Sequence, residues 1–221
     1  MRPYVLLSVA TSLDGYIDDT APERLRLSNS CDFDRVDQVR AGCDAILIGA
    51  TTLRRDNPRL LVNAPERRAA RQARNLPPYP LKVTLTAGGD LDPGLRFWHH
   101  GGDKLVYAPD DAATEIKERL GDLAEVVGLG KRVDPAEVLD DLGERGIGRL
   151  MVEGGGTVHT QFLTAGLADE IHLAIAPFFV GDADAPRFVN PGTFPHGPGR
   201  RMTLVEVRAV GDVALLRYRA T

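Results

Sequence analysis

The stretch RLMVEGGGTVHTQFL, residues 149–163, decides the fold of this chain. Residues 149–153 form an apolar run that is typical of a buried β-strand. Three glycines follow, and residues 157–166 then place their apolar side chains on one face, as in an amphipathic helix. Because alternating strands and helices form layered α/β domains, the stretch predicts an α/β fold.

Similar runs recur on both sides of this stretch. Strands are predicted at residues 4–10, 44–49, 81–86, 104–108, 149–153 and 170–177, and helices at residues 32–42, 110–121, 134–146 and 157–166. This alternation predicts a three-layer αβα domain with a mostly parallel sheet. The runs 201–210 and 213–220 flank Gly211 and Asp212, which predicts an antiparallel C-terminal hairpin and hence a mixed sheet.

The connecting segments favour a single domain over residues 1–221. Residues 63–80 are basic and then proline-rich, and residues 188–201 are rich in proline and glycine. Both are predicted to be loops. Neither is interpreted as a domain boundary, because predicted strands continue one pattern on either side.

Composition and charge favour an ordinary globular protein. The chain has 221 residues, 43% hydrophobic and 26% charged, which is ordinary for a globular protein. A net charge of −4 does not suggest a nucleic-acid partner, and no apolar run reaches membrane-spanning length. Cys31 and Cys43 match no zinc or redox spacing, so no metal site is predicted. The simplest interpretation is a cytoplasmic protein without a nucleic-acid or membrane partner.

The glycine run before residue 157 has two interpretations. A helix N-terminus carries unpaired N–H groups and a partial positive charge, and glycines in front of it let phosphates approach the backbone. The run is then a cradle for the pyrophosphate of a dinucleotide. The alternative is a tight strand-to-helix turn that needs positive φ. Glu153 faces either a ligand in the crevice at the strand ends or only the helix N-terminus.

Two basic segments also have alternative interpretations. Lys131 and Arg132 either bind the 2′-phosphate of NADPH or form an ordinary surface. A second run of four arginines has no interleaved aromatic residue for stacking bases, which favours a solvated helical face or loop. The run comprises Arg67, Arg68, Arg71 and Arg74.

Three segments carry a resemblance to a known family. They are SLDG at residues 12–15, the block from Arg40 through DAILIG and TT to DNPRL at residues 56–60, and VEGGGT…FL…GL…DE…IAPFFVG at residues 152–181. In these segments the chain resembles the reductase domain of the riboflavin-biosynthesis deaminase/reductase family, which has a dihydrofolate-reductase-like fold. The resemblance spans residues 3 to about 181.

The resemblance implies an NADPH-dependent oxidoreductase that reduces the ribosyl group of a phosphorylated ribosylaminopyrimidine to ribityl, of the 5-amino-6-(5-phosphoribosylamino)uracil reductase type. Asp56 and Glu153 are the implied catalytic residues. The implied cofactor-binding residues are Ala10, Thr52, Asp56, Gly155, Gly156, Thr157, Val158 and Gln161, and the implied substrate-binding residues are Arg40, Leu60 and Glu153. A homodimer is also implied. The deaminase motifs H-x-E and P-C-x-x-C do not occur, so a reductase without a deaminase domain is expected.

Two departures from the family pattern affect the substrate more than the fold. The family has a tryptophan beside the cofactor in a segment that reads RLRLS here, residues 24–28, and its second phosphate-contacting arginine is Asn63 here. Arg59, Arg67 or Arg24 are candidates to supply the missing charge. A reductase of a pterin, a folate or a specialised-metabolite pyrimidine therefore remains an alternative, as does a non-catalytic nucleotide-binding module.

Overall fold

The computed structural model describes residues 1–221, which fall into two compact units. The first unit comprises Met1–Pro3 and Asp37–Met151, and the second comprises Tyr4–Val36 and Val152–Thr221. Helix α1 (Ser30–Ala41) and strand β6 (Arg149–Gly154) each contribute residues to both units. Organisation as a single domain stays a prediction.

The first unit contains four further parallel strands. Their spatial order is β5-β4-β3-β2, and every neighbouring pair is parallel. The strands are β2 Ala45–Gly49, β3 Leu81–Leu85, β4 Lys104–Ala108 and β5 Glu125–Gly128. The helices are α2 Ala50–Asp56, α3 Pro65–Gln72, α4 Arg96–His99, α5 Asp110–Leu120 and α6 Pro135–Glu144, with a 3-10 turn at Gly121–Leu123.

The second unit contains the mixed part of the sheet. Strand β1 is parallel to β7, while β9 is antiparallel to both β7 and β8. The elements are β1 Tyr4–Thr11, α7 Gly156–Thr164, β7 Glu170–Ile175, β8 Thr203–Val210 and β9 Val213–Arg219. The predicted α/β class, with a mostly parallel sheet, flanking helices and a C-terminal antiparallel hairpin, is confirmed.

Helix α3 contradicts the prediction of a loop at residues 63–80. Pro65 occupies its first turn, and Arg71 lies on its buried side with only 3% of its surface exposed. The Arg71 guanidinium donates hydrogen bonds to the carbonyls of Ala41, Cys43 and Pro77. The helix agrees with the helical alternative left open for the arginine run. The loop prediction overlooked it because its inward face carries an arginine, whereas hydrophobic periodicity depends on apolar side chains.

Arg67 and Arg68 of the basic run also differ from a solvated face, whereas Arg74 is exposed. Arg67 pairs with the Asp37 carboxylate at 2.9 Å, and Arg68 donates to the carbonyls of Val62 and Asn63. These arginines therefore hold the protein's own backbone and carboxylate groups. That the run is not a nucleic-acid site stays a prediction.

Asp37 fixes the segment that leads into α3. Its carboxylate accepts hydrogen bonds from the backbone N–H groups of Asn63 and Ala64, from the Asn63 side chain and from Arg67. Burial opposes ionisation, but these hydrogen bonds outweigh it and lower the pKa of Asp37. Asp37 thus contributes stability in its ionised form.

We expect Asp37→Asn to lower the free energy of unfolding by about 1–2 kcal/mol at pH 7. A carboxyl group with a lowered folded-state pKa stabilises above its unfolded pKa of about 4, and that stabilisation is lost as the pH falls through the folded-state value. Urea unfolding at pH 7 and pH 3 should therefore show a larger difference between variant and wild type at pH 7. Asp90→Asn, at a carboxylate that is 85% exposed, is the control. A difference that is independent of pH would contradict this role.

A buried polar network connects β7 to β9 in the second unit. The Glu170 carboxylate accepts hydrogen bonds from Arg217 at 2.6 Å, His172 at 2.8 Å and the Tyr4 hydroxyl at 2.8 Å. Burial raises the pKa of Glu170, but these partners outweigh it and lower the pKa to about 2. The buried carboxylate is therefore ionised and fully surrounded by donors, as a stable interior charge requires.

Candidate functional site

The turn from β6 into α7 presents unpaired backbone donors. Gly155 is the N-cap of α7 in an extended conformation, and no side chain caps the helix. The first turn also lacks an acidic residue, so its N–H groups have no competing carboxylate. Such a nine-residue helix is long enough for a partial positive charge at its start. These donors fit an anionic diphosphate, the group that the sequence interpretation placed here.

The predicted cofactor-binding residues of α7 differ in exposure. Thr157 and Gln161 are exposed, whereas the Val158 side chain is 7% exposed and faces the interior. Val158 can therefore reach a phosphate only through its backbone N–H. Ala10 lies near the end of β1, half-buried, beside Ala174 of β7. The cofactor assignments themselves stay predictions.

Gly156 has a reason of its own for lacking a side chain. A Cβ atom at this position would lie 2.3 Å from the carbonyl oxygen of Arg187, closer than any real contact. The loop after Arg187 is also fixed to α7, because Thr160 Oγ1 accepts a hydrogen bond from Asn190 N at 2.8 Å. Backbone of the same unit thus fills the space where a side chain of residue 156 would lie. The glycine run by itself did not indicate this contact.

The SLDG turn after β1 is hydrogen-bonded to the loop after β7. Asp14 accepts hydrogen bonds from the backbone N–H groups of Val180 and Gly181 and from the Ser12 hydroxyl. Burial opposes ionisation, but these bonds lower the pKa of Asp14 to about 2. The Arg187 side chain donates to the Asp14 carbonyl and lies 4.2 Å from the centre of the Tyr16 ring. The turn after β1, the loop after β7 and the start of α7 are therefore linked within the second unit.

Glu153 lies in β6, directly before the glycines. Its side chain is half-buried, and it is followed by the buried Gly154. It stands at the end of the strand from which the helix N-terminus emerges, which is where α/β proteins bind ligands. The position agrees with the substrate role predicted for Glu153 but does not test it.

The other predicted site residues lie in the first unit. Asp56 is the last residue of α2 and is half-buried, and Thr52 lies one turn earlier. Asn57 ends the helix in the left-handed conformation with φ of 40°, and its side-chain oxygen accepts a hydrogen bond from Arg96 N at 2.7 Å. The Asp-Asn-Pro motif therefore contains a helix C-cap, and Asp56 is held on the helix side of it.

Leu60 and Arg40 have structural contacts that the sequence did not indicate. Leu60 has φ of 52° and is 4% exposed, with its side chain in the hydrophobic core of the first unit. Any contact from Leu60 to a substrate must therefore use its backbone. Arg40 Nη1 donates to the Leu61 carbonyl at 3.0 Å, which fixes the guanidinium beside the same segment.

Lys82 contacts the backbone of the same segment beside Leu60. The side chain is fully buried in β3, and its ammonium donates to the carbonyls of Arg59, at 3.1 Å, and Phe97. The ammonium also lies 4.2 Å from the centre of the Phe97 ring. Burial, with a smaller repulsion from Lys104, lowers the pKa of Lys82 to about 7. Lys82 was not among the predicted site residues, since one lysine in an apolar run carries no recognisable pattern.

We expect stability to rise with pH between about 7 and 10 because of Lys82. In this window the unfolded lysine keeps its proton, whereas the folded one has largely lost it, so the unfolded state binds more protons. Lys82→Met removes this contribution. Urea unfolding should give wild type about 2 kcal/mol more stability at pH 9 than at pH 7, relative to the same difference in Lys82→Met. Equal pH dependence in the two proteins would refute the assignment.

The family of the chain follows from a comparison with known proteins. The family model described as "RibD C-terminal domain" matches residues 3–216. This chain belongs to the RibD C-terminal domain family. The predicted family membership is thereby confirmed, over nearly the whole chain rather than over isolated motifs.

Two curated relatives are each more than a third identical to this chain over the aligned residues. A protein of Archaeoglobus fulgidus is 37% identical over 199 residues, covering 88% of this chain and 89% of the relative. A protein of Methanothermobacter thermautotrophicus is 35% identical over 220 residues, covering 99% and 98%. Both are named 2,5-diamino-6-ribosylamino-4(3H)-pyrimidinone 5′-phosphate reductase.

Solved structures show the same fold. Acinetobacter baumannii RibD matches with a TM-score of 0.81 at 24% identity, and this chain spans 58% of that chain's length. A pyrimidine reductase-like protein of Corynebacterium diphtheriae matches with a TM-score of 0.77 at 23% identity over 92% of its length. At these identities the likeness concerns the fold alone. It confirms the fold expected for the RibD reductase domain.

Metal and membrane features are absent from the structure. No group of three or more His, Cys, Asp or Glu side chains is arranged to hold a metal ion. None of the helices is long and apolar enough to cross a membrane. Cys31 is exposed and Cys43 is buried, and the two do not form a disulfide.

Proposed function

We propose that this chain is an NADPH-dependent reductase of a phosphorylated ribosylaminopyrimidine, converting its ribosyl group to ribityl. The observation that carries the proposal is the uncapped, glycine-led N-terminus of α7, placed directly after Glu153. The names of the relatives supply the substrate class. The riboflavin-pathway activity expected from the sequence agrees with those names.

The second unit carries the proposed diphosphate site and one proposed substrate contact. The backbone N–H groups at the start of α7 bind the diphosphate, and Asp14 holds the loop after β7 against the turn after β1. When bound, the reduced nicotinamide supplies the hydride. Glu153 accepts hydrogen bonds from ring N–H or amino donors of the substrate and so orients it.

The first unit carries the proposed roles of Arg40, Asp56 and Thr52. Arg40, whose guanidinium donates to the Leu61 carbonyl, pairs with the substrate phosphate, because the planar fork of a guanidinium is suited to binding phosphate oxygens. Asp56 holds a proton or stabilises positive charge on the substrate as the sugar ring opens to its imine form. Thr52 remains a proposed cofactor contact one turn before it.

The substrate is the 2,5-diaminopyrimidinone rather than its deaminated uracil form in this proposal. The relatives that match over 98% and 89% of their own length carry the diaminopyrimidinone name. The deaminated uracil form, which is the substrate implied by the family resemblance, is the comparison substrate. Asn63 stands where the family has its second phosphate-contacting arginine. Its backbone N–H and side-chain amide donate hydrogen bonds to Asp37, so Asn63 is not proposed to bind the phosphate. Arg67 pairs with the same carboxylate, which leaves Arg59 or Arg24 as candidates for that charge.

An assay of NADPH oxidation with a substrate panel tests the proposal. The panel contains the diaminopyrimidinone nucleotide, its deaminated uracil form, a pterin and a dihydrofolate, with NADH in parallel. We expect turnover with the diaminopyrimidinone and NADPH. Turnover with the pterin or folate alone would establish the alternative substrate class. Binding of NADPH without turnover on any heterocycle would favour a non-catalytic nucleotide-binding module.

A homodimer is part of the same proposal. Strand β8 leaves the apolar side chains of Leu204, Val205 and Val207 between 41% and 61% exposed. An exposed apolar edge strand is a surface that a second copy can cover. Sedimentation equilibrium of wild type and Val207→Asp is the test, and a wild-type monomer would contradict it. A cytoplasmic location, without nucleic-acid or membrane partners, stays a prediction.

A further inference from the structure

Residues 59–61 connect α2 to α3 in the first unit and include Leu60, one of the predicted substrate contacts. We call these three residues the Leu60 segment. They belong to no helix or strand, so no regular ladder of backbone hydrogen bonds fixes them. Because the Leu60 side chain lies in the core, only backbone groups of this residue can meet a substrate. The precision of that contact therefore depends on what holds the backbone in place.

The backbone of the Leu60 segment has an unfavourable conformation. Leu60 has φ of 52°, in the left-handed region that residues with a side chain seldom adopt. Such a conformation persists only where surrounding contacts fix it. Two cationic side chains bind the carbonyls on either side of Leu60. Lys82 Nζ donates to the Arg59 carbonyl at 3.1 Å, and Arg40 Nη1 donates to the Leu61 carbonyl at 3.0 Å.

Lys82 reaches the Leu60 segment from the interior of the first unit. Its side chain is fully buried in β3, and its ammonium also donates to the Phe97 carbonyl of α4. The stem of the lysine is enclosed by the turn before β4. A Cβ atom added at Gly101 would lie 3.8 Å from Lys82 Cε and 2.7 Å from Leu61 Cδ2. The lysine thus joins β3, α4 and the Leu60 segment at one buried point.

A fully buried ammonium without a carboxylate partner is unusual. The partners of Lys82 are two carbonyls and the Phe97 ring, and no carboxylate pairs with it. Its pKa is lowered, chiefly by burial, so these partners do not fully offset the loss of water around the charge. An apolar side chain such as methionine would fill the space without a buried charge. What methionine would not supply is a donor to the Arg59 carbonyl, so stability alone does not explain a lysine here.

We propose that Lys82 is a positioning residue for the substrate, because its bond to the Arg59 carbonyl holds the Leu60 segment in the conformation that binds the pyrimidine nucleotide. The inference rests on the proposed function, which supplies that substrate. Lys82 has no exposed surface, so it acts through the backbone of the segment and not by touching the substrate. None of the residues in this arrangement belongs to the proposed diphosphate site, so the affinities for substrate and cofactor should respond differently.

Steady-state kinetics of Lys82→Met with the diaminopyrimidinone nucleotide and NADPH test the proposal. Methionine is unbranched and of similar length but cannot donate to the Arg59 carbonyl. We expect the KM of the pyrimidine substrate to rise about tenfold and that of NADPH to change by less than about twofold. The kcat per folded enzyme, with the folded fraction measured by near-UV circular dichroism, should fall less than about threefold. An equal rise in both KM values would indicate a general structural defect and overturn the proposal.

Two further variants separate the hydrogen bond from the bulk of the side chain. Lys82→Arg keeps donors for carbonyl groups, and the buried Arg71 of the same unit already binds three carbonyls. It should bring the substrate KM to within about threefold of wild type. Lys104→Met is the matched control, because Lys104 lies directly opposite Lys82 in β4 and is not bonded to the Leu60 segment. A substrate KM that rises equally in Lys104→Met, or that does not recover in Lys82→Arg, would contradict the role of the bond.

Limited digestion with trypsin reports the state of the backbone without turnover. The Arg59 side chain is exposed, and the peptide bond that trypsin cuts contains the carbonyl that Lys82 binds. Cleavage after Arg59, relative to cleavage after the exposed Arg74, should be about fivefold faster in Lys82→Met than in wild type or Lys104→Met. If Lys82→Met does not fold, Lys82→Gln replaces it, since its neutral amide is one atom shorter than the lysine. Equal relative cleavage in all variants would show that Lys82 does not hold the segment.

The combined outcomes distinguish the failure of this inference from that of the proposed function. Faster cleavage with a raised substrate KM and an unchanged NADPH KM supports the positioning role. If wild type reduces the pyrimidine nucleotide and Lys82→Met does so with an unchanged substrate KM, only the positioning role is wrong. If wild type neither reduces the nucleotide nor binds it in calorimetry, the proposed function is refuted and the positioning role with it.

Discussion

Glu153→Gln and Asp56→Asn are each expected to lower kcat by a factor of about 100 or more while leaving the fold intact. Each substitution keeps the size and shape of the side chain but removes its negative charge and its capacity to take up a proton. Both residues are half-buried and lie at element ends, Glu153 in β6 and Asp56 at the end of α2. An amide at either position can still fill space, so the loss should appear in turnover rather than in folding.

The measurement combines steady-state kinetics with thermal unfolding. If Glu153 orients the substrate, Glu153→Gln raises KM as well as lowering kcat, whereas Asp56→Asn mainly lowers kcat and alters its pH profile. Glu118→Gln, at an exposed carboxylate of α5, is the matched control and should behave as wild type. If both active-site variants retain full turnover, the catalytic assignment carried over from the family is wrong.

Gly156→Ala is expected to lower the free energy of unfolding by about 3 kcal/mol and to weaken NADPH binding by about tenfold or more. The added Cβ would lie 2.3 Å from the Arg187 carbonyl oxygen, so the backbone of one segment must move. Alanine has a higher helix propensity than glycine, so local propensity favours the substitution and the loss must come from this clash. Movement at the first turn of α7 also displaces the N–H donors of the proposed diphosphate site.

The control for this variant is Gly197→Ala, where an added Cβ would meet no atom within 4 Å. Urea unfolding and calorimetric titration with NADPH should leave Gly197→Ala close to wild type. A stable Gly156→Ala protein that binds NADPH normally would show that the loop at Arg187 yields without cost, and that α7 does not position the cofactor. Reduced stability with normal NADPH binding would restrict Gly156 to a packing role.

Much of the fold could be predicted because its strands are continuous apolar runs. The segments that became β1 and β2 were recognisable without any partner in view, since strands buried on both faces need mostly apolar side chains. The hairpin of β8 and β9 followed from Gly211 and Asp212 between two such runs. The helix predicted at residues 134–146 is α6, which begins at Pro135, and the Asp134 side chain before it accepts a hydrogen bond from Ala136 N.

Elements whose stability depends on distant partners could not be predicted in the same way. Helix α3 presents Arg71 inward, and only the carbonyls of Ala41, Cys43 and Pro77 make that burial favourable. Strand β5 is four residues long and begins with the exposed Glu125, so it has no distinctive pattern. Lys82 is buried because two carbonyls and a phenyl ring surround its ammonium, a set that no sequence spacing reveals.

The sequence by itself determined the class of fold, the family and the motifs on which the proposed site rests. These depend on hydrophobic patterning and on short runs such as VEGGGT and DNPRL, which are local properties of the chain. Only the tertiary structure decided how the motif residues are used. The Arg187 carbonyl fills the space beside Gly156, and the Leu60 side chain lies in the core. The Asn63 side chain donates a hydrogen bond to Asp37. The physical reason is that these roles arise from close contacts between segments far apart in the chain, and such contacts leave no local periodicity in the sequence.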